Sequence, residues 1–325
     1  MTILRKMVGL ALFALTFLLP SGAAWSDSQH QRFVVFGDSL SDPGNALVLL
    51  RKFEKPPFDS LIPAAPYARG AGHFSNGATW IEQLSLREHA APSAGPALLL
   101  PRLFSNYAVG GATAGALSPF DLSTQVSAFL HDFRARAPEQ ALYVVWVGGN
   151  DVRAALQALA VDPTGATSAG ILTQAIESIA INLHTLQFAG ARKFLIANAP
   201  DVGLTPAVRL QGPAAQGAAS FLSARFNAGL AQALQGVEAA LDVQIARLDV
   251  FSILHEVVAA PATAGLTNVT DACIRLNVTV GAFCARPNDY LFWDGIHPTA
   301  AGHRILARRA QEALNNSSAP VLAQP

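Results

Sequence analysis

The chain has 325 residues, of which 51% are hydrophobic, and its 22 basic residues balance 22 acidic ones. This length and composition allow a large buried core and argue against disorder over most of the chain. Because the charges balance and no basic run is interleaved with aromatic residues, the composition also argues against a nucleic-acid partner and favours an uncharged or small-molecule substrate.

The first 24 residues have the pattern of a secretory signal peptide. Arg5 and Lys6 precede an apolar stretch over residues 7–19, and small residues follow, with a cleavage site near Ala24. The stretch is shorter than the roughly 20 residues that span a bilayer, so a retained anchor is the weaker alternative. We therefore predict a secreted or periplasmic protein with no integral membrane segment in the mature chain. A single domain is expected over residues 30–312, followed by a flexible tail over 313–325.

Short apolar runs alternate with helical patterns after the signal peptide, which predicts an α/β fold with helices on both faces of a parallel sheet. Buried strands are expected at 33–36, 107–109, 143–147, 193–197 and 243–248. Apolar residues at three- and four-residue steps predict long helices around 171–186 and 218–240, and a last helix over 299–314. Long irregular stretches at 51–77, 92–101, 199–217 and 261–288 are expected to form lids or substrate walls.

The first predicted strand ends in FGDSLSDPGN, where Ser39 could be a nucleophile. A serine becomes a nucleophile only when a base takes its proton. The alternative is that Asp38 and Ser39 only cap the helix that follows. If Ser39 instead faces a crevice, the capping role falls to Asp38, Ser41 and Asp42.

Two later strand ends carry groups that could bind an oxyanion. Gly110 and Gly111 follow the second predicted strand and leave backbone N–H groups unobstructed. Asn150 follows the third strand and offers a neutral amide donor. Glycine pairs are also common turns, and Asn150 and Asp151 could be an ordinary N-cap for a helix beginning near residue 152.

The late part of the chain contains a cysteine pair and an Asp-Gly-Ile-His sequence. Cys273 and Cys284 lie in one loop without nearby His or Cys partners, which favours a disulfide over a zinc site or two free thiols. Asp294 lies three residues before His297, so its carboxylate can orient the imidazole through Nδ1 and leave Nε2 free as a base. The alternative is an aspartate that caps a turn and a histidine that packs under the last helix.

The ordered set FGDSLSDPGN, NYAVGGATA, VVWVGGND and WDGIHPTAAGH resembles the GDSL family of SGNH hydrolases, over residues 33–304. The sequence FSNGATWIEQL resembles a stretch of the longer GDSL esterases and lipases. The resemblance implies a three-layer α/β/α fold with a flavodoxin-like five-stranded parallel sheet. It also implies Ser39 as nucleophile, His297 as general base and then acid, and Asp294 as its orienting residue. The implied oxyanion donors are the N–H groups of Ser39 and Gly111 and the side chain of Asn150, with Gly110 as the alternative glycine.

The expected activity is therefore hydrolysis of carboxylic esters through an acyl-enzyme on Ser39, by a monomer without cofactor or metal. The substrate is expected to be a small-molecule or lipid ester, cleaved by a short-chain esterase or by a lipase or phospholipid acylhydrolase. A carbohydrate acetylesterase and a non-catalytic secreted binding module are the alternatives. Most aromatic residues should be core, but an acyl pocket could be walled by some of Phe53, Phe58, Phe74, Trp80, Phe120, Phe129, Trp146 and Phe292.

Overall fold

The computed structural model describes residues 32–318, and four parallel strands form its central sheet. They lie side by side in chain order as β1 (Phe33–Gly37), β2 (Leu142–Trp146), β3 (Lys193–Ala197) and β4 (Gln244–Leu248). Their first residues are aligned across the sheet, so all four carboxyl ends meet at one edge. β1 and β2 are buried along their whole length, as strands covered on both faces must be. The predicted α/β fold with a parallel sheet is confirmed.

The sheet has four strands rather than five, because residues 107–109 do not form a regular strand. Residues 105–109 nevertheless run parallel to β1 on the side away from β2, and Tyr107 N–H donates to Val35 O at 2.7 Å. The regular ladder to β1 is interrupted here because Gly37 N–H donates to Gln125 Oε1 at 2.9 Å instead of to residue 107. Side chains bond other backbone groups of the segment: Asn106 Oδ1 accepts from Ala108 N–H, and Asn45 Nδ2 donates to the carbonyl oxygens of both residues. If residues 105–109 are counted as the second strand in chain order, the spatial order is the flavodoxin-like 2-1-3-4-5, and β1 and β2 are its first and third strands. Ligands bind beside these two strands in folds of this order.

Nine α-helices lie in the described part of the chain. They are α1 (Asn45–Leu50), α2 (Trp80–Arg87), α3 (Leu122–Asp132), α4 (Gly149–Ala158), α5 (Ala166–Phe188), α6 (Pro206–Arg209), α7 (Pro213–Ala240), α8 (Val250–Ala259) and α9 (Ala300–Ser318). One apolar core joins α3, α4, α5 and α7 to one face of the sheet, and a second joins α2, α8 and α9 to the other. The two long helices expected from periodicity are α5 and α7.

The last helix is longer than its predicted end at residue 314. α9 continues to Ser318, so residues 313–318, the first part of the predicted tail, are helical. Leu314 is buried in the second core, which holds the last turns of the helix against the sheet. The predicted signal peptide and residues 319–325 lie outside the described residues.

A separate two-stranded parallel sheet, β5 (Asn268–Ala272) and β6 (Tyr290–Phe292), braces the turn after β6. The predicted disulfide between Cys273 and Cys284 is present and closes the loop between these strands. Both cysteines pack in a small core with Phe58, Tyr67 and Trp293. Among residues 32–318, no helix is both long and apolar enough to cross a membrane.

Candidate active site

The turn after β1 presents Ser39 at the carboxyl edge of the sheet. Asp38 O accepts Ser41 N–H at 3.1 Å, and Asp38 Oδ1 accepts Leu40 N–H at 2.9 Å. The carboxylate of Asp42 accepts the N–H groups that open α1, including that of Asn45 at 2.6 Å. Asp38 and Asp42 therefore hold the turn as predicted, and Asp42 alone of the two reaches the first N–H groups of α1, whose N-cap is Gly44.

Ser41 does not cap the helix. Its hydroxyl oxygen instead accepts the indole N–H of Trp80 at 3.0 Å, because the side chain is directed into the core beneath α2. The capping prediction for Ser41 was wrong.

Ser39, His297 and Asp294 form a continuous chain of hydrogen bonds. The imidazole Nε2 of His297 lies 2.7 Å from Ser39 Oγ, and its Nδ1 lies 2.6 Å from Asp294 Oδ2. The other carboxylate oxygen of Asp294 accepts the backbone N–H groups of Ile296 and His297, each at 2.8 Å. This short turn fixes the carboxylate and the imidazole together, and Nδ1–H donation to Asp294 leaves Nε2 as the acceptor for the serine proton.

Two aromatic residues from the irregular region before α2 support this turn. The hydroxyl of Tyr67 donates to Asp294 Oδ2 at 3.1 Å, and the Phe74 ring lies 5.3 Å from the His297 ring. Burial and the adjacent Asp294 raise the pKa of Tyr67, so it remains a donor. Nothing in the local sequence of Tyr67 connects it to a residue 227 positions later, so its contact with Asp294 could not be predicted from sequence.

The two glycines after the β1-flanking segment have different environments. Gly110 N–H donates to Asp42 Oδ2 at 2.8 Å and is not available to a ligand. Gly111 is exposed, and no hydrogen bond of its N–H is found in residues 32–318. Its φ of 81° lies in the left-handed region that favours glycine.

Asn150 lies in the first turn of α4 and does not cap it. The helix begins at Gly149, and its N-cap is Gly148, whose φ of 122° favours glycine. The N-cap alternative for Asn150 and Asp151 was therefore wrong. Asn150 Nδ2 donates to Ala112 O at 2.8 Å, which directs the amide group towards the Gly111 loop.

Two residues whose part in the site could not be predicted from sequence, Asp151 and Arg153, position the glycine loop and the Asn150 amide. The buried carboxylate of Asp151 accepts Ala114 N–H at 2.8 Å and Gly115 N–H at 3.0 Å, fastening the glycine loop to α4. Arg153 Nη1 donates to Asn150 Oδ1 at 3.2 Å and so determines which end of the amide is the acceptor.

A cavity of about 360 Å³, including its open mouth, lies at this edge of the sheet, and its wall includes Ser39, Asn150, Arg153 and His297. Asp38 also lines it, and burial raises the pKa of that carboxyl to about 7. Burial lowers the pKa of Arg153, opposed by the charges of Asp294 and Asp38. Within residues 32–318 there is no cluster of three or more His, Cys, Asp or Glu that could hold a metal ion.

The chain is similar in sequence to known esterases, lipases and acyltransferases. The family model for GDSL-like Lipase/Acylhydrolase matches residues 33–310. Lipase 1 of Photorhabdus luminescens is 26% identical over 94% of this chain and 53% of its own length. A phosphatidylcholine-sterol acyltransferase of Aeromonas hydrophila is 28% identical over 93% of this chain and 79% of its own.

Among solved structures, a catalytic mutant of Axe2, an acetylxylan esterase from Geobacillus stearothermophilus, is similar with a TM-score of 0.45. The two chains are 15% identical, and the match covers 87% of this chain and 94% of the other. The chain spans about half the length of two of the curated relatives that it matches, at 50% and 53% of those proteins.

Proposed function

The chain belongs to the GDSL-like Lipase/Acylhydrolase family, and from that premise we propose that it hydrolyses carboxylic esters through an acyl-enzyme on Ser39. The observation that carries the proposal is the unbroken contact from Ser39 Oγ through the His297 ring to Asp294, at 2.7 and 2.6 Å. These are the distances at which a base can take a serine proton and a carboxylate can orient that base.

The reaction follows from the position of each group. Ser39 Oγ attacks the ester carbonyl carbon while His297 Nε2 takes the hydroxyl proton. The carbonyl oxygen becomes an oxyanion that accepts hydrogen bonds from Gly111 N–H, Ser39 N–H and the Asn150 amide. His297 then returns the proton to the departing alcohol oxygen, and the carbonyl re-forms as an ester on Ser39. Water, deprotonated by His297, hydrolyses that ester and restores the serine hydroxyl.

Export is part of the same proposal. The first 24 residues have the charge and apolar pattern of a signal peptide, and the bond between Cys273 and Cys284 is of the kind that persists in oxidising compartments. We assign the enzyme to the periplasm or the extracellular space on these grounds.

The nucleophile can be tested with p-nitrophenyl acetate and butyrate and the purified protein. Ser39→Ala should lose activity by a factor on the order of 10⁵ or more, whereas Ser317→Ala, at an exposed serine late in α9, should keep it. An organophosphate should add its mass to the wild type and to the Ser317 variant but not to Ser39→Ala. Wild-type turnover in Ser39→Ala would refute the assignment.

The oxyanion donor is tested separately. Asn150→Ala should lower kcat on the order of 10²- to 10³-fold while the thermal unfolding transition stays cooperative, because one transition-state donor is lost. An unchanged kcat would remove Asn150 from the proposed machinery and leave it a purely structural role at the start of α4.

A further inference from the structure

A second cavity lies beside the catalytic one and shares part of its wall. Its volume, including the open mouth, is about 520 Å³. Four residues line both cavities, and two of them directly follow or precede catalytic residues in sequence: Leu40, Ile296, Pro200 and Thr205. The second cavity is therefore adjacent to any group attached to Ser39.

The wall of this cavity comes largely from α8 and α9, which pack on the second face of the sheet. These helices contribute Val250, Ile253, Leu254, Val257, Ile305 and Leu306. The side chains of Trp146 and Phe292, two of the aromatic residues considered for an acyl pocket, complete the wall.

The side-chain donors in this wall are already engaged within the protein. The hydroxyl of Thr205 donates to Val202 O at 2.7 Å, and the indole N–H of Trp146 donates to Asn198 O at 3.0 Å. A sugar or other polyhydroxylated group would find no free side-chain donor there and would lose most of its hydrogen bonds to water, which is costly. A hydrocarbon chain has no hydrogen bonds to lose and gains from leaving water.

The two cavities differ in polarity and therefore suit different parts of an ester. The catalytic cavity contains Asn150, Arg153 and the Nε2 of His297, which must reach the departing alcohol oxygen. The second cavity is apolar and carries no charged residue in its wall. We propose that the second cavity holds the acyl chain of the ester bound at Ser39, so that the enzyme prefers longer straight acyl chains such as hexanoyl over acetyl. This inference rests on the proposed esterase function.

Acyl chain length in p-nitrophenyl esters tests the inference. In the wild type, kcat/KM should rise by up to about fourfold for each methylene that is buried, giving on the order of 10²-fold from acetate to hexanoate. Leu254 is half-buried in the cavity wall, and Leu254→Trp should fill part of the space. We expect this variant to lower kcat/KM for hexanoate about tenfold or more and to leave that for acetate within about twofold.

The matched control is Leu86→Trp, on an exposed position of α2 outside both cavities, which should show the wild-type profile. Val257→Phe, a second filling substitution on α8, should repeat the Leu254→Trp result if that variant does not fold. A comparison of ethyl acetate with hexyl acetate identifies the side of the ester, and Leu254→Trp should treat both as the wild type does.

The outcomes separate the two proposals. Hydrolysis of acetate without any rise towards hexanoate, or a wild-type chain-length profile in both filling variants, would overturn the acyl-chain assignment and leave the esterase intact. Discrimination by Leu254→Trp against hexyl acetate rather than hexanoate would assign the cavity to the alcohol and also overturn it. Failure of the wild type to hydrolyse any ester would overturn both.

Discussion

Replacing Asp38 by Asn should stabilise the protein at alkaline pH. The Asp38 side chain is only 3% exposed, and its carboxylate accepts a single described hydrogen bond, from Leu40 N–H. Burial raises its pKa to about 7, and the nearby charge of Asp151 adds to the rise, while His297 and Arg153 oppose it. Because Asn has nearly the same shape and keeps an acceptor for Leu40 N–H, the substitution removes the charge and little else.

The size and sign of the effect follow from proton linkage. A rise from 3.8 to about 7 corresponds to about 4 kcal/mol against carrying the charge in the folded state. Between these two values the folded state binds more protons than the unfolded state, so stability falls as the pH rises through this window. Below 3.8 both states are protonated and the cost is absent. From pH 5 to pH 8 the advantage of Asp38→Asn over the wild type should therefore grow by ~2–3 kcal/mol.

Urea unfolding followed by tryptophan fluorescence at pH 5 and pH 8, with the disulfide intact, measures this difference. Comparing the variant with the wild type cancels the titration of all other groups. Asp242→Asn, at an exposed position between α7 and β4, is the matched control and should follow the wild type at both pH values. A gap between Asp38→Asn and the wild type that stays constant from pH 5 to pH 8 would refute the reasoning, because it would mean that Asp38 does not titrate in this window.

Two further predictions concern residues that hold the catalytic groups. Arg153→Met keeps an unbranched side chain but loses the donor to Asn150 Oδ1, so kcat for p-nitrophenyl butyrate should fall about tenfold with little change in KM. Arg153→Lys should recover part of this loss in kcat. Equal losses of kcat in both variants would show that the hydrogen bond to Asn150 does not control the rate. Tyr67→Phe removes the hydroxyl that donates to Asp294, so the free energy of unfolding measured in urea should fall by about 1 kcal/mol and kcat should fall severalfold. An unchanged kcat would limit Tyr67 to a role in stability.

The strands could be predicted from sequence wherever burial on both faces produced a continuous apolar run. β1 and β2 are such runs, and their predicted and observed bounds differ by no more than one residue. Residues 107–109 are equally apolar, yet the ladder to β1 is interrupted there because Gly37 N–H donates to Gln125 Oε1. Gln125 lies in α3, 88 positions from Gly37, so the apolar pattern of the segment itself carries no sign of this competing side chain.

The candidate site shows the same division between local and distant contacts. Asp294 and His297 are three residues apart, and their pairing could be inferred from one turn. The contact of Ser39 with His297 joins residues 258 positions apart and could be inferred only because parallel strands bring their carboxyl ends to one edge. Tyr67 lies in an irregular segment and Arg153 lies inside α4, and neither periodicity nor turn chemistry identifies either residue as part of the site.

The position of the Gly111 N–H depends on two buried carboxylates from opposite sides of the site. Asp42, in the turn after β1, holds Gly110 N–H, and Asp151, in α4, holds the N–H groups of Ala114 and Gly115. The loop that carries Gly111 is therefore held at both ends, by the turn after β1 that carries Ser39 and by α4 that carries Asn150. Because each carboxylate contacts a different end of one short loop, loss of either should free the same N–H. We expect substitutions at the two aspartates to combine non-additively in kcat, as residues that share one structural unit do.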